Sequence, residues 1–445
     1  MAETPGSADH LSRRGFLGVG LGAAASAAFL AACGGSSGTT SSSSGGSSGG
    51  TLKFWDMPWG GTAYNPAAKN LVATYKPAGS LPAATYQTIQ WANFTETFAS
   101  AVASSTGPAV STGGGFQAFQ YAQQGAIAYA DSLISTFQKN GTYADFLPGQ
   151  IAAMKTPKGY VAVPWQLDIR VWWYSKPIFS KLALTPPTTW DELMTVGTTL
   201  AKHGYYGFGT GSGTGNNLGA HTMIMMMINN GGGLFNADNK LDVMTPRNIE
   251  AMQFVQGLVK AKISDPASVS YTTNTQDAQW KSGKFAMGIY TAGLDVDTGV
   301  SNGSLAVMEQ PLAGLHGEKA CLVFQNNIMM YKNTPSLAGS EAFLDWYVKH
   351  MGLYWKQGLL ESLPVLKSIT ALPEFQKQVP RVTAVNNWLP VARNYAAVGT
   401  VLSPSLAKVD GSQQLQEFTQ TMLGGGDPKT ALQSLQSSLE PLFTT

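Results

Sequence analysis

Residues 165–174 read Trp165-Gln166-Leu167-Asp168-Ile169-Arg170-Val171-Trp172-Trp173-Tyr174, a β-rich run that mixes a carboxylate, a guanidinium and aromatic rings. In a strand, a period of two sends Ile169, Val171 and Trp173 to one face and Asp168, Arg170, Trp172 and Tyr174 to the other. The first face is apolar and belongs to a core. The second combines hydrogen-bonding charges with aromatic plates, and Trp165 lies just before it. Such a set suits a polyhydroxylated molecule, whose flat C–H faces rest on rings and whose hydroxyls need planar polar partners. The plainer reading is an Asp168–Arg170 pair on a solvated face.

Further candidates follow the same logic. Asp56 and Trp59 come after a first β-rich run and Trp91 and Asn93 after a second, the ends at which open α/β folds carry binding loops. Phe116 and Gln117 follow the flexible Gly113-Gly114-Gly115. The chain has 11 Trp and 16 Tyr but only 12% charged residues, a balance that favours a neutral, sugar-like ligand over a charged one. A net charge of +2 offers no field to steer nucleic acid. The alternating glycines of residues 209–217 leave the backbone free to approach a ligand, yet they match neither the dinucleotide fingerprint nor the P-loop.

Catalytic and metal chemistry find less support. Glycoside hydrolysis needs two carboxylates flanking one bond, and nothing in the sequence brings Asp56 and Asp168 together. The histidines His10, His203, His221, His316 and His350 show no ligand spacing, so neither a metal nor a cofactor is expected. His221, beside Met223 and Met227, reads as part of a helix with a Met-rich core face.

These residues must be positioned by an α/β rhythm of short β-rich runs and longer helical patterns. Residues 52–55 and 85–90 read as strands and residues 94–103 as a helix. Thr245-Pro246, Thr334-Pro335 and Asp427-Pro428 each put a capping side chain before a proline at the first helical position. Thr189 and Glu192 form a capping box that makes Trp190 a packing residue. About 400 residues beyond the first fifty exceed what one core usually supports, which implies two lobes.

The first fifty residues read as an address. Ser12-Arg13-Arg14-Gly15-Phe16-Leu17 resembles the twin-arginine export motif, and residues 18–30 are an apolar run too short to span a bilayer. Leu30-Ala31-Ala32-Cys33 resembles a lipobox, so residues 1–32 would be removed and Cys33 lipidated. Residues 33–50, rich in Gly and Ser, form a flexible tether. The remaining cysteine, Cys321, lies in an apolar run and is expected in the core.

Five segments in order carry a family resemblance: Gly159-Tyr160-Val161-Ala162-Val163-Pro164 with the strand after it; Pro187 to Leu193; Asn230-Gly231-Gly232 to Phe235; Lys281 to Met287; and Leu363-Pro364-Val365 before Lys367-Ser368. Together they resemble family 1 of the bacterial extracellular solute-binding proteins. The resemblance implies a non-catalytic, monomeric receptor of α/β class with the type II, clamp-like periplasmic-binding-protein fold. Its two discontinuous lobes are joined by crossover strands near residues 168–174, 305–312 and 362–367. The implied segments are 51–168 and 306–365 for the N-lobe, and 169–305 and 366–445 for the C-lobe. The ligand, a neutral sugar or oligosaccharide or alternatively a polyol or phosphorylated polyol, would lie between the lobes and pass to an ABC permease. The lipid on Cys33 would hold the exported protein at the outer face of the cytoplasmic membrane. The resemblance also adds Gln325 and Asn326, which lead from the cleft into a strand, and Trp388, Arg393 and Tyr395, where relatives supply an aromatic platform. Tyr290 stands in the run where relatives often carry a cleft tryptophan, and Gly107-Pro108-Ala109-Val110 lacks the family's usual acidic residue.

Overall fold

The computed structural model describes residues 50–443 apart from 92–93, 239 and 396–405; the export signal, Cys33, nearly all of the tether and Asn93 lie outside the described residues. In chain order the strands are β1 (Leu52–Asp56), β2 (Ala84–Thr88), β3 (Val110–Gly113), β4 (Ile127–Ala128), β5 (Lys155–Thr156), β6 (Gly159–Tyr160), β7 (Val163–Ser175), β8 (Met287–Thr291), β9 (Leu305–Val307), β10 (Cys321–Tyr331), β11 (Leu363–Pro364) and β12 (Ala392–Arg393).

The long strand β7 organises both lobes. Its first half, Val163 to Ile169, pairs antiparallel with β10 and β11. Its second half, Arg170 to Ser175, pairs antiparallel with β8 and β9. Beyond β10 the first lobe continues through β3 to β1 and β2, with β1 parallel to both of its neighbours. One continuous strand therefore carries the chain from one lobe to the other at Ile169 and Arg170.

The period-two reading of β7 meets a limit here. Nearly every residue of the strand is buried, because helices and loops cover both faces away from its middle. Trp172, expected on the cleft face, is 1% exposed and packs against Phe208. Trp165, also expected at the site, lies in the first-lobe core against Tyr347, Tyr354 and Trp355.

Helix starts follow local capping chemistry. Thr189 accepts from the Glu192 amide, Thr245 from that of Asn248 and Asp427 from that of Thr430. Trp190 packs on Phe254 and donates to Asn229, a packing role. The start expected at Thr334-Pro335 falls later, at Leu337–His350, because Ser336 caps the Gly339 amide while Thr334 bonds Ser340 and the Ser336 amide. In the helix Leu218–Asn229 all twelve residues are buried, so its methionines fill a core on every side rather than on one face. Cys321 is buried there too, its thiol against the Trp388 carbonyl.

Within residues 209–217, Gly209, Gly211 and Gly213 are packed closely against neighbouring segments of the second lobe, while Gly215 takes a positive φ in open space. Gly209 bridges Gly288 of β8, and a Cβ on Gly288 would lie 2.3 Å from the Gly209 carbonyl oxygen. Among the described residues no helix is long and apolar enough to cross a membrane, and no cluster of three or more His, Cys, Asp or Glu residues could hold a metal ion.

Candidate functional site

The ends of β1, β2 and β3 and the middle of β7 open onto one cavity of about 550 Å³, within the range of small-molecule sites. The first lobe contributes Trp59, Trp91, Phe116 and Gln117 to its lining. The second contributes Asn217, His221, Thr291, Asp297 and Asp410. Asp168, Ile169 and Arg170 lie at the crossing of β7.

The aromatic wall is built from beneath. Asp56, at the end of β1 and fully buried, accepts from the Met57 amide, Trp59 Nε1 and Thr112 Oγ1 on one oxygen and from the Tyr64 and Tyr86 hydroxyls on the other. Burial pushes this carboxyl up to about 6 against the pull of those hydrogen bonds. Held in this way, the Trp59 ring meets Trp91 edge to face at 4.8 Å, and Trp91 in turn meets Phe94. Trp91 is anchored by a hydrogen bond from Nε1 to the Pro58 carbonyl. Asp56 thus acts under the cavity, not in it. Asp56 therefore does not line the cavity beside Asp168.

A polar row crosses the cavity from the strand side. Arg170 Nη1 donates to Asp168, and Arg170 Nε and Nη2 both lie against His221 Nδ1, at 3.2 and 2.9 Å. His221 Nε2 is 3.1 Å from Asp410 Oδ1, which also accepts from the Tyr395 hydroxyl at 2.8 Å. Burial first, and then the Arg170 charge, hold His221 below its ordinary value. Asp410 is held low, because hydrogen bonds from His221 and Tyr395 and the nearby positive charge outweigh the upward push of burial. The Phe324 ring carries the Arg170 guanidinium 5.1 Å from its centroid and packs on Tyr395 and His221.

Two further carboxylates, Asp297 and Glu361, line the same cavity. Burial, followed by the charges of Glu361, Asp277 and Asp168, pushes Asp297 up; it is open to the cavity, so water there screens part of that repulsion. Burial pushes Glu361 up as well. Amides complete the lining: Gln117 spans the Gly114 amide and the Tyr121 hydroxyl, while Asn326 and Gln166 come from β10 and β7.

Of the residues expected from sequence, Trp59, Trp91, Phe116, Gln117, Asp168, Arg170 and Asn326 line this cavity. The others do not. Asp56 supports Trp59 from below. Trp165 and Trp172 are core residues. Tyr290 is buried and donates to Asp277. Gln325 turns to Gln150, since neighbours on β10 face opposite ways. Trp388 is buried with its Nε1 on the Met308 carbonyl, and Arg393 is exposed on the edge strand β12. Tyr395 is fully buried behind Asp410 and Phe324. The sequence reading missed His221, Asp297, Glu361, Phe324 and Asp410. Phe324 was legible as the neighbour, two positions away, of Asn326 on β10. The others carry no local pattern.

The sequence profile of the bacterial extracellular solute-binding proteins matches residues 59–352. A sugar transporter protein of Arthrobacter chlorophenolicus, crystallised with bound laminaribiose, is 51% identical, with a TM-score of 0.83 over 89% of this chain and 100% of its own. A maltose-bound protein of T. maritima (16% identity, TM-score 0.70, 88% of this chain and 100% of its own) shares the fold. So does a ribitol-bound solute-binding protein of Agrobacterium radiobacter (19% identity, TM-score 0.70, 88% of this chain and 98% of its own). No curated protein matches the chain at a significant level. The matched stretch begins at Trp59 on the cavity wall, takes in the whole crossover strand and runs past the helix Leu337–His350; on that footing the chain belongs to the bacterial extracellular solute-binding protein family.

Proposed function

We propose that this chain is the substrate-binding component of an ABC importer and that its cargo is a neutral disaccharide of the laminaribiose type. The observation that carries the reading is a single cavity lined by an edge-to-face tryptophan pair, Trp59 and Trp91, and by the polar row Asp168, Arg170, His221 and Asp410. Rings of this kind cover the C–H faces of a sugar, and charged groups hydrogen-bond hydroxyls more strongly than neutral ones do. The laminaribiose-bound relative, sharing half of its residues with this chain, supports the same substrate class. Four carboxylates line the cavity, Asp168, Asp297, Glu361 and Asp410, against one guanidinium, Arg170. That guanidinium is already engaged by Asp168 and His221, so among the described lining residues no free cation awaits a phosphorylated polyol, which suits an uncharged ligand.

Ligand contacts from both lobes supply the differential affinity that drives closure, and the closed form docks on the permease. The lobes are assembled as residues 51–168 with 320–378, where Lys367 and Ser368 bond Ala144 and Asp145 and Gln378 bonds the Trp355 carbonyl, and residues 169–319 with 379–395 and 406–443, where Arg381 bonds Ala292 and Asp295. The second crossing falls later than the expected residue 306, because β9 pairs with the second half of β7 and Ala313 exchanges hydrogen bonds with Thr188 and Trp190. Export through the twin-arginine route, lipidation of Cys33 and a monomeric state complete the proposal. Calorimetry on residues 51–445 with laminaribiose, maltose, ribitol and a phosphorylated polyol tests the ligand class. Laminaribiose is expected to bind and the phosphorylated polyol to give no heat; the reverse order would overturn the assignment.

A further inference from the structure

The hydrogen bonds along the polar row leave little freedom in where its protons sit. Arginine has no acceptor, so the two N–H groups of Arg170 that reach His221 Nδ1 require a lone pair there. The imidazole is therefore neutral with its proton on Nε2, and that proton is donated to Asp410 Oδ1. Tyr395 places a second donor on the same oxygen. Oδ1 is thereby doubly occupied. Among the described residues no donor reaches Oδ2, and the Asp410 side chain keeps 34% exposure while lining the cavity. His221 is only 9% exposed and is wedged between the guanidinium, the Phe324 ring and Asp410.

We propose that Asp410 Oδ2 is a hydroxyl acceptor for the bound sugar and that His221 is the positioning residue that fixes it, relaying the register of Arg170 on the crossover strand to the C-terminal segment. The inference rests on the sugar-binding reading above and deepens it by naming a specificity residue that neither strand periodicity nor the family resemblance singles out. A carboxylate whose inner oxygen is tied down by two donors presents its outer oxygen in one orientation, so a hydroxyl meets it without the entropy cost of ordering a free side chain. Because Arg170 belongs to the strand that crosses between the lobes while Asp410 lies with the second lobe, the relay also couples that acceptor to the crossing point.

The test compares wild type, Asp410→Asn, His221→Gln and His221→Phe by calorimetry with laminaribiose and maltose, together with the thermal unfolding of each ligand-free protein. Asp410→Asn keeps the shape but turns the outer oxygen into a donor, and affinity is expected to fall about tenfold to a hundredfold, the loss of one charge-assisted hydrogen bond. His221→Gln can accept from Arg170 and donate to Asp410, so it should stay within about threefold of wild type, whereas His221→Phe, which can do neither, should lose at least about tenfold.

A pH profile separates positioning from mere packing. The charged and titratable groups facing His221 are Arg170 and Asp168 from β7 and Asp410 and Tyr395 from the C-terminal segment. Protonation of His221 would set Nδ1–H against two Arg170 N–H groups, so wild-type affinity should fall in acid in a limb that His221→Gln lacks. Parallel pH profiles, an Asp410→Asn protein that binds like wild type, or a His221→Gln protein as weak as His221→Phe would each overturn the inference. Wild type that binds neither sugar would refute the sugar reading and this inference together; wild type that binds while Asp410→Asn is unaffected refutes this inference alone.

Discussion

Replacing Asp56 by Asn should change how the stability of the ligand-free protein depends on pH. Asp56 is fully buried, and its carboxyl is raised from 3.8 to about 6. Between those values the folded protein holds a proton that the unfolded chain has released, so this group's contribution to stability falls as pH rises through that window. At about pH 4.5 the folded carboxyl is nearly all protonated and the unfolded one mostly ionised, while at about pH 7 both are ionised. The difference between the two conditions is worth about 2 kcal/mol in favour of acid. Asparagine keeps an acceptor for the Met57 amide, Thr112 and Trp59 and turns its amide toward the Tyr64 and Tyr86 hydroxyls, which can accept, so the fold survives. Asp297, Glu361 and Asp277 are raised as well and slope the same way, but they remain in both proteins and cancel in the comparison. Urea unfolding followed by tryptophan fluorescence at the two pH values should show wild type gaining about 2 kcal/mol more than Asp56→Asn on acidification. Parallel gains in the two proteins would mean that the carboxyl is ionised throughout, and that its five donors, not its burial, dominate.

Trp59→Ala should weaken laminaribiose binding more than about tenfold by calorimetry while leaving the melting temperature close to wild type, because the ring is only partly buried and its support lies beneath it. Trp172→Ala should instead destabilise the protein by about 3–5 kcal/mol in urea unfolding, the cost of an emptied core site, and an unchanged midpoint would return Trp172 to the cavity. Arg381 forms a buried two-point ion pair with Asp295 and also donates to the carbonyl of Ala292, which lines the cavity. Arg381→Met should cost about 3–5 kcal/mol by stranding that carboxylate, and adding Asp295→Leu should recover much of the loss; no recovery would show that the Ala292 contact dominates.

What the sequence revealed of this site divides along the range of the forces involved. Trp59, Trp91 and Phe116 were legible because β1, β2 and β3 end where such folds open, and the loop after a strand is a local feature. Asp168 and Arg170 were legible through the period of β7, and the same period failed two residues later at Trp172. Alternation marks a buried face only where the other face meets solvent, and β7 meets it only at Asp168, by the crossing between the lobes, and at Tyr174 near its end. Trp165, Trp388 and Tyr395 misled for a related reason. A large ring is as useful to a core as to a sugar, and only three-dimensional packing decides which role it takes. His221 lies on a helix buried all round, where no moment could set one residue apart, and its partners Arg170 and Asp410 are 51 and 189 positions away. A hydrogen-bond relay that joins such distant segments leaves no spacing to read. His221 and Asp410 are therefore less visible in the chain than Trp59, Trp91, Asp168 and Arg170, which follow from its strands.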